Sequence, residues 1–125
     1  MMQRLEKNSE QSKQNSIKMK VIYNVTINID LDVHDEWHSW MTEVHIPEVM
    51  NTGKFLDAKF SKILAEEEGG KSYSIQYLSP NMETLEAYQN DFATKLQEEH
   101  TAKFAGKFVA FRTLLRVEKS FESAS

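Results

Sequence analysis

The sequence predicts an α+β fold of the ferredoxin-like type, β-α-β-β-α-β, with an antiparallel sheet carrying two helices on one face. Three features carry this expectation. Apolar and polar residues alternate strictly from Val21, large apolar residues recur at helical spacing in two windows, and a second long alternating run begins at Phe108. At 125 residues a single domain is expected, spanning 19–119, with an N-terminal extension at 1–18 and a short frayed end at 120–125.

The extension holds only Met1, Met2, Leu5 and Ile17 as apolar residues, too few to offset the entropy of ordering it. Its removal is therefore expected to leave the fold intact. In the first strand Val21, Tyr23, Val25, Ile27 and Ile29 share one face, and Ile22, Asn24, Thr26 and Asn28 the other. Asp32 then offers an N-cap, with Asp35 three positions on as a carboxylate variant of the capping box. Val33, Trp37, Trp40, Met41 and Val44 follow at helical spacing, and the helix is expected to end near Pro47 or, after a kink, near Gly53.

A second strand fits Phe55 to Glu66 and a third Tyr73 to Ser79, joined by the turn-prone Gly69-Gly70. Pro80 and Asn81 open a second helix whose stripe is Leu85, Tyr88, Phe92 and Leu96, fading around Phe104 to Gly106. The last strand, Phe108 to Glu118, sets Val109, Phe111, Thr113, Leu115 and Val117 against Phe108, Ala110, Arg112, Leu114 and Arg116. Ile22, Phe108 and Leu114 are expected on the sheet face without helices, beside Asn24, Thr26, Gln76 and Arg112. Such a semi-apolar face calls for a partner sheet, so a homodimer forming a dimeric α+β barrel is expected.

Composition removes several function classes. With no cysteine there is no disulfide, thiolate metal site or cysteine nucleophile, which fits a reducing, cytoplasmic compartment. No stretch reaches the roughly 20 apolar residues of a spanning helix, and the N-terminus lacks an apolar signal core, so neither membrane nor secretion is expected. Residues 1–18 carry four bases against two acids, leaving 11 bases and 17 acids in residues 19–125. A body this acidic repels polyanions, and nucleic acid is not an expected partner.

The candidate ligand-binding residues are Tyr23, Trp37, His38, Met41, His45 and Arg112, around a pocket between the first helix and the sheet. Aromatic walls with a few titratable or cationic groups are the usual setting for a small ligand. At about 100° per residue His34, His38 and His45 fall within about 40° of one another, a single stripe. No metal is expected from it, since the H-E-x-x-H pattern is missing and His45 lies two residues before Pro47. Arg112 stands mid-strand, where a guanidinium wants an anion: it is either an interface arginine paired with a carboxylate or snorkelling to solvent, or a clamp for a carboxylate or enolate ligand. Gly70-Lys71-Ser72 is not a phosphate loop, because Ala65 stands where its first glycine belongs. No nucleophile or acid/base couple stands out.

Val21-Ile22-Tyr23-Asn24-Val25-Thr26, Trp37-x-x-Trp40-Met41 with His45-Ile46-Pro47-Glu48-Val49, Glu67-Glu68-Gly69-Gly70-x-x-Tyr73-Ser74 and Lys107-Phe108-Val109-Ala110-Phe111-Arg112-Thr113 together resemble an uncharacterised family of small bacterial proteins, known as a domain of unknown function. The resemblance spans about residues 19–118 and implies domain identity and a bacterial, cytoplasmic origin, with no assigned activity. At the level of fold the chain is also similar to the dimeric α+β barrel proteins, which include small monooxygenases, haem-degrading enzymes and isomerases. The expected function is a small homodimeric ligand-binding or regulatory domain without its own catalysis and without a cofactor. The alternative is a monooxygenase-like, haem-using or isomerase-type enzyme of that barrel class, with His38, His45 or His100 as the haem ligand beside Trp37 or Trp40.

Overall fold

The alternating run from Val21 becomes β1 (Val21–Asp30) in the computed structural model, which describes residues 19–124; the expected extension at 1–18 lies outside the described residues. Its burial alternates residue by residue, with Val21, Tyr23, Val25, Ile27 and Ile29 inward. β1 is central, pairing antiparallel with β3 (Gly70–Ser79) on one side and β4 (Phe108–Arg116) on the other. β2 (Asp57–Lys62) pairs with β3, giving the order β2-β3-β1-β4, the ferredoxin-like sheet. The hairpin strands differ from expectation: β2 is shorter than 55–66, and β3 starts at Gly70 instead of Tyr73.

The first helix (residues 34–51) begins differently from the expected capping box. Asp32 sits in a 3-10 turn, Leu31–Val33, and its carboxylate accepts a hydrogen bond from Lys107 Nζ at 2.7 Å, so no side chain caps the helix. An ion pair to the start of β4 has replaced the local cap. The helix then runs as an α segment, His34–Trp40, a π segment, Met41–His45, and a second α segment, Ile46–Asn51. Proline lacks an N–H and clashes with the carbonyl four residues back, and the wider π turn just before Pro47 lets the helix continue past it. It ends at Gly53, which takes the left-handed φ of 74° that other residues resist.

The second helix (residues 82–104) is capped by Asn81, whose Oδ1 accepts from the Thr84 backbone N–H at 2.7 Å. A π segment, Gln89–Ala93, divides it into Met82–Tyr88 and Thr94–Phe104. Its extra residue shifts the buried stripe: Leu85, Tyr88, Ala93 and Leu96 are buried, while Phe92 is turned toward solvent. Both helices cover one sheet face, and the core between them is built on Trp37, Met41, Val49, Ile29, Ile75 and Leu85.

Cross-strand register corrects the expected face of β4. Val25 lies opposite Arg112, Ile27 opposite Ala110, Ile29 opposite Phe108 and Tyr23 opposite Leu114. Directly paired residues share a face, so Phe108, Arg112 and Leu114 stand on the helix side. Alternation separates two sets of side chains but does not say which set faces the helices. The open face instead carries Ile22, Leu78, Val109, Phe111 and Leu115 among Asn24, Thr26, Asn28, Ser74 and Gln76. Val109 and Phe111 remain 69% and 61% exposed.

Candidate functional site

Because β4 presents Arg112 to the helix side, four of the six candidate residues, Tyr23, Met41, His45 and Arg112, meet around one cavity of about 40 Å³ between the helices and the sheet. β1 supplies Tyr23, the π segment of the first helix supplies Met41 and His45, and β4 supplies Arg112. Arg112 Nε donates to Tyr23 Oη at 3.0 Å, and Gln97 Nε2 approaches the same oxygen at 3.5 Å. The rest of the guanidinium is unclaimed: among the described residues no carboxylate lies within ion-pair distance of Arg112. Arg112 is exposed at the cavity's edge, whereas Tyr23 is buried among Phe55, Tyr77 and Tyr88. Burial raises the hydroxyl pKa of both Tyr77 and Tyr88, keeping them protonated.

Trp37 does not line the cavity; it acts one layer behind. Its indole Nε1 donates to His100 Nε2 at 2.9 Å. An indole N–H can only donate, so His100 Nε2 must hold a lone pair and the ring proton of the neutral form sits on Nδ1. His45 stacks on Trp40 at 5.0 Å between ring centroids and lies 5.7 Å from His100, and its Nδ1 is buried without a partner among the described residues. Burial pushes His45 down to about 4, Arg112 adding to the depression while Glu99 opposes it. His100 is likewise pushed down to about 4 by burial, with His45 and Arg112 contributing. Both imidazoles are neutral at pH 7.

His38 belongs elsewhere. It packs with His34, Phe60 and Tyr73 at the start of the first helix, where His34 bridges Asp35 Oδ1 at 2.8 Å and Tyr73 Oη at 2.6 Å. The expected single stripe of His34, His38 and His45 fails because the π segment rotates His45 away from the other two. No group of three or more His, Asp or Glu residues among those described is arranged to hold a metal.

His100, Gln97 and Tyr88 also line the cavity and are not among the six candidates. His100 had a legible signal: Leu96, His100 and Phe104 recur every four residues on the buried face of the second helix. A haem does not fit this site. Pockets for drug-sized ligands run to roughly 300–1,000 Å³, far above the space between His45 and Arg112, and His38 is not beside it.

The sequence profile of the domain of unknown function DUF4286 matches residues 20–118. The chain belongs to this family. No curated protein matches the DUF4286 chain. Among solved structures it is similar to a protein described as a putative antibiotic biosynthesis monooxygenase from Bacillus cereus, at 14% identity and TM-score 0.59, covering 84% of this chain and 99% of that one. It is similar to a dimeric ferredoxin-like protein from an uncultured marine organism, at 10% identity and TM-score 0.62, covering 82% and 99%. A Streptomyces coelicolor monooxygenase in complex with nanaomycin D matches at 10% identity and TM-score 0.58, covering 88% and 97%. These likenesses establish the ferredoxin-like fold of the DUF4286 chain. Among the described residues no helix is long and apolar enough to cross a membrane.

Proposed function

We propose that this chain is a homodimeric small-molecule-binding or regulatory domain of the bacterial cytoplasm, without catalysis of its own. The observation that carries the reading is His45 Nδ1, buried beside the cavity with no partner among the described residues. An unsatisfied buried polar atom costs about 1–3 kcal/mol, and such atoms persist where something outside the chain completes them. The π segment of the first helix supplies Met41 and His45 to the cavity, and Tyr88 adjoins that of the second. Such segments recur at functional sites.

Self-association is favoured by the open face. Val109, Phe111 and Leu115 form an exposed apolar strip on an edge strand, next to Ile22 and Leu78. Two such faces stacked about 10 Å apart bury that strip, and the similar marine protein is described as dimeric. The acidic composition of residues 19–125 favours a small ligand over nucleic acid.

The test is a thermal-shift screen of metabolite-sized fragments against wild type and His45→Ala. Compounds that raise the melting temperature of wild type alone are expected. A screen with no stabilising compound, or equal stabilisation of both proteins, overturns the reading. The likeness to monooxygenases favours a second reading, a small enzyme, by fold alone. Chemical turnover of a stabilising compound by the purified protein decides for that alternative.

A further inference from the structure

Resting on the binding reading above, we infer that the cavity takes a small monocarboxylate, held by the Arg112 guanidinium together with the imidazoles of His45 and His100. Three independent features converge on this class. The first is charge. Arg112 has spent only its Nε, on Tyr23 Oη, and among the described residues no carboxylate neutralises it. It is exposed at the cavity's edge, open to an anion from outside the described residues.

The second is donor polarity. Trp37 Nε1 occupies His100 Nε2, which forces the His100 proton onto Nδ1 and makes that edge of the ring a donor. His45 Nδ1 is buried with no partner among the described residues, and the tautomer that protonates it supplies a second neutral donor. Gln97 and Arg112 already donate to the Tyr23 oxygen, leaving its own proton to be given away. These donors converge on the cavity beside the acceptor-capable side chains of Gln97 and Thr101, and a carboxylate's two oxygens can accept from them.

The third is size and charge number. About 40 Å³ admits only a few heavy atoms. Burial keeps both imidazoles uncharged at neutral pH, so the site offers one positive charge. A single carboxylate matches the one charge of the guanidinium, which a phosphate dianion exceeds. Trp37 is on this account a positioning residue that acts through His100.

Propionate and propionamide have the same number of heavy atoms, propylamine has one fewer, and the three differ in charge. Each is titrated at pH 7 and constant ionic strength into isotopically labelled full-length protein, following the imidazole resonances of His45 and His100 and the Trp37 indole N–H. Propionate is expected to shift all three saturably, and Arg112→Gln to weaken it at least tenfold in protein that a cooperative thermal melt shows to be folded. If propionamide or propylamine shifts the same resonances as well as propionate does, the pocket stands and the carboxylate inference falls. Propionate shifts that persist undiminished in Arg112→Gln also overturn it. If none of the three compounds moves these resonances, the inference falls, and the binding reading is then judged by the fragment screen alone.

Discussion

Acidifying the protein from pH 7 to pH 5 should unfold it far more easily, and the two cavity histidines set the size of the effect. His45 and His100 are held near pKa 4 in the folded chain against 6.5 for a free imidazole. The unfolded chain therefore binds protons between those values that the folded chain refuses, so stability is complete above about pH 6.5 and is lost as pH falls toward 4. Between pH 7 and pH 5 this linkage amounts to about 2 kcal/mol for each histidine. The pair yields less than twice that, because part of the His100 depression comes from His45. Asp32 and Asp35, whose carboxyls are held below their ordinary range by Lys107 and His34, lose their contribution only at lower pH. Urea unfolding at pH 7, 6 and 5 measures the effect, and a drop of this size moves the midpoint by more than about 1 M. The double variant His45→Gln, His100→Gln keeps an acceptor for Trp37 and should flatten the dependence. A wild-type midpoint that does not move between pH 7 and 5, or an equal slope in the double variant, refutes the reasoning.

Three further outcomes follow from the same geometry. Trp37→Phe removes the indole donor to His100 Nε2 and should cost about 1–3 kcal/mol in urea unfolding, with His100 losing its fixed Nδ1–H tautomer by imidazole NMR. Phe111→Glu on the open face should raise the dimer dissociation constant at least about thirtyfold, an effect of about 2 kcal/mol, while the corrected position of Phe108 makes Phe108→Glu a core lesion instead; sedimentation velocity and thermal melting separate the two. Gly70→Ala should destabilise by about 1–3 kcal/mol, because its Cβ would sit 2.6 Å from Asn28 Oδ1 and 3.0 Å from the Ile29 carbonyl oxygen, read as a lowered melting temperature.

The order of strands and helices was legible because each element repeats its own period: two in β1 and β4, three to four in the helices. What escaped the sequence has two physical sources. Periodicity assumes a regular helix, and the π segments at Met41–His45 and Gln89–Ala93 each break the register. Behind the first break His45 leaves the His34 and His38 stripe; behind the second, Ala93 replaces Phe92 in the core. The other source is pairing. Only the register of Val25 against Arg112 shows that this arginine faces the helices and meets Tyr23, so the same residue was recognised while its surroundings were not. The link between Trp37 and His100 spans 63 residues and has no local signature.

The central claim, a homodimer whose chains each hold a small ligand beside His45 and Arg112, is tested most directly by native mass spectrometry of the full-length protein with propionate added. The account predicts a species of twice the 14.5 kDa chain mass carrying up to two bound propionates, with bound propionate lost in Arg112→Gln while the dimer persists. A monomer that carries no adduct at any propionate concentration, from protein that is otherwise folded, contradicts it.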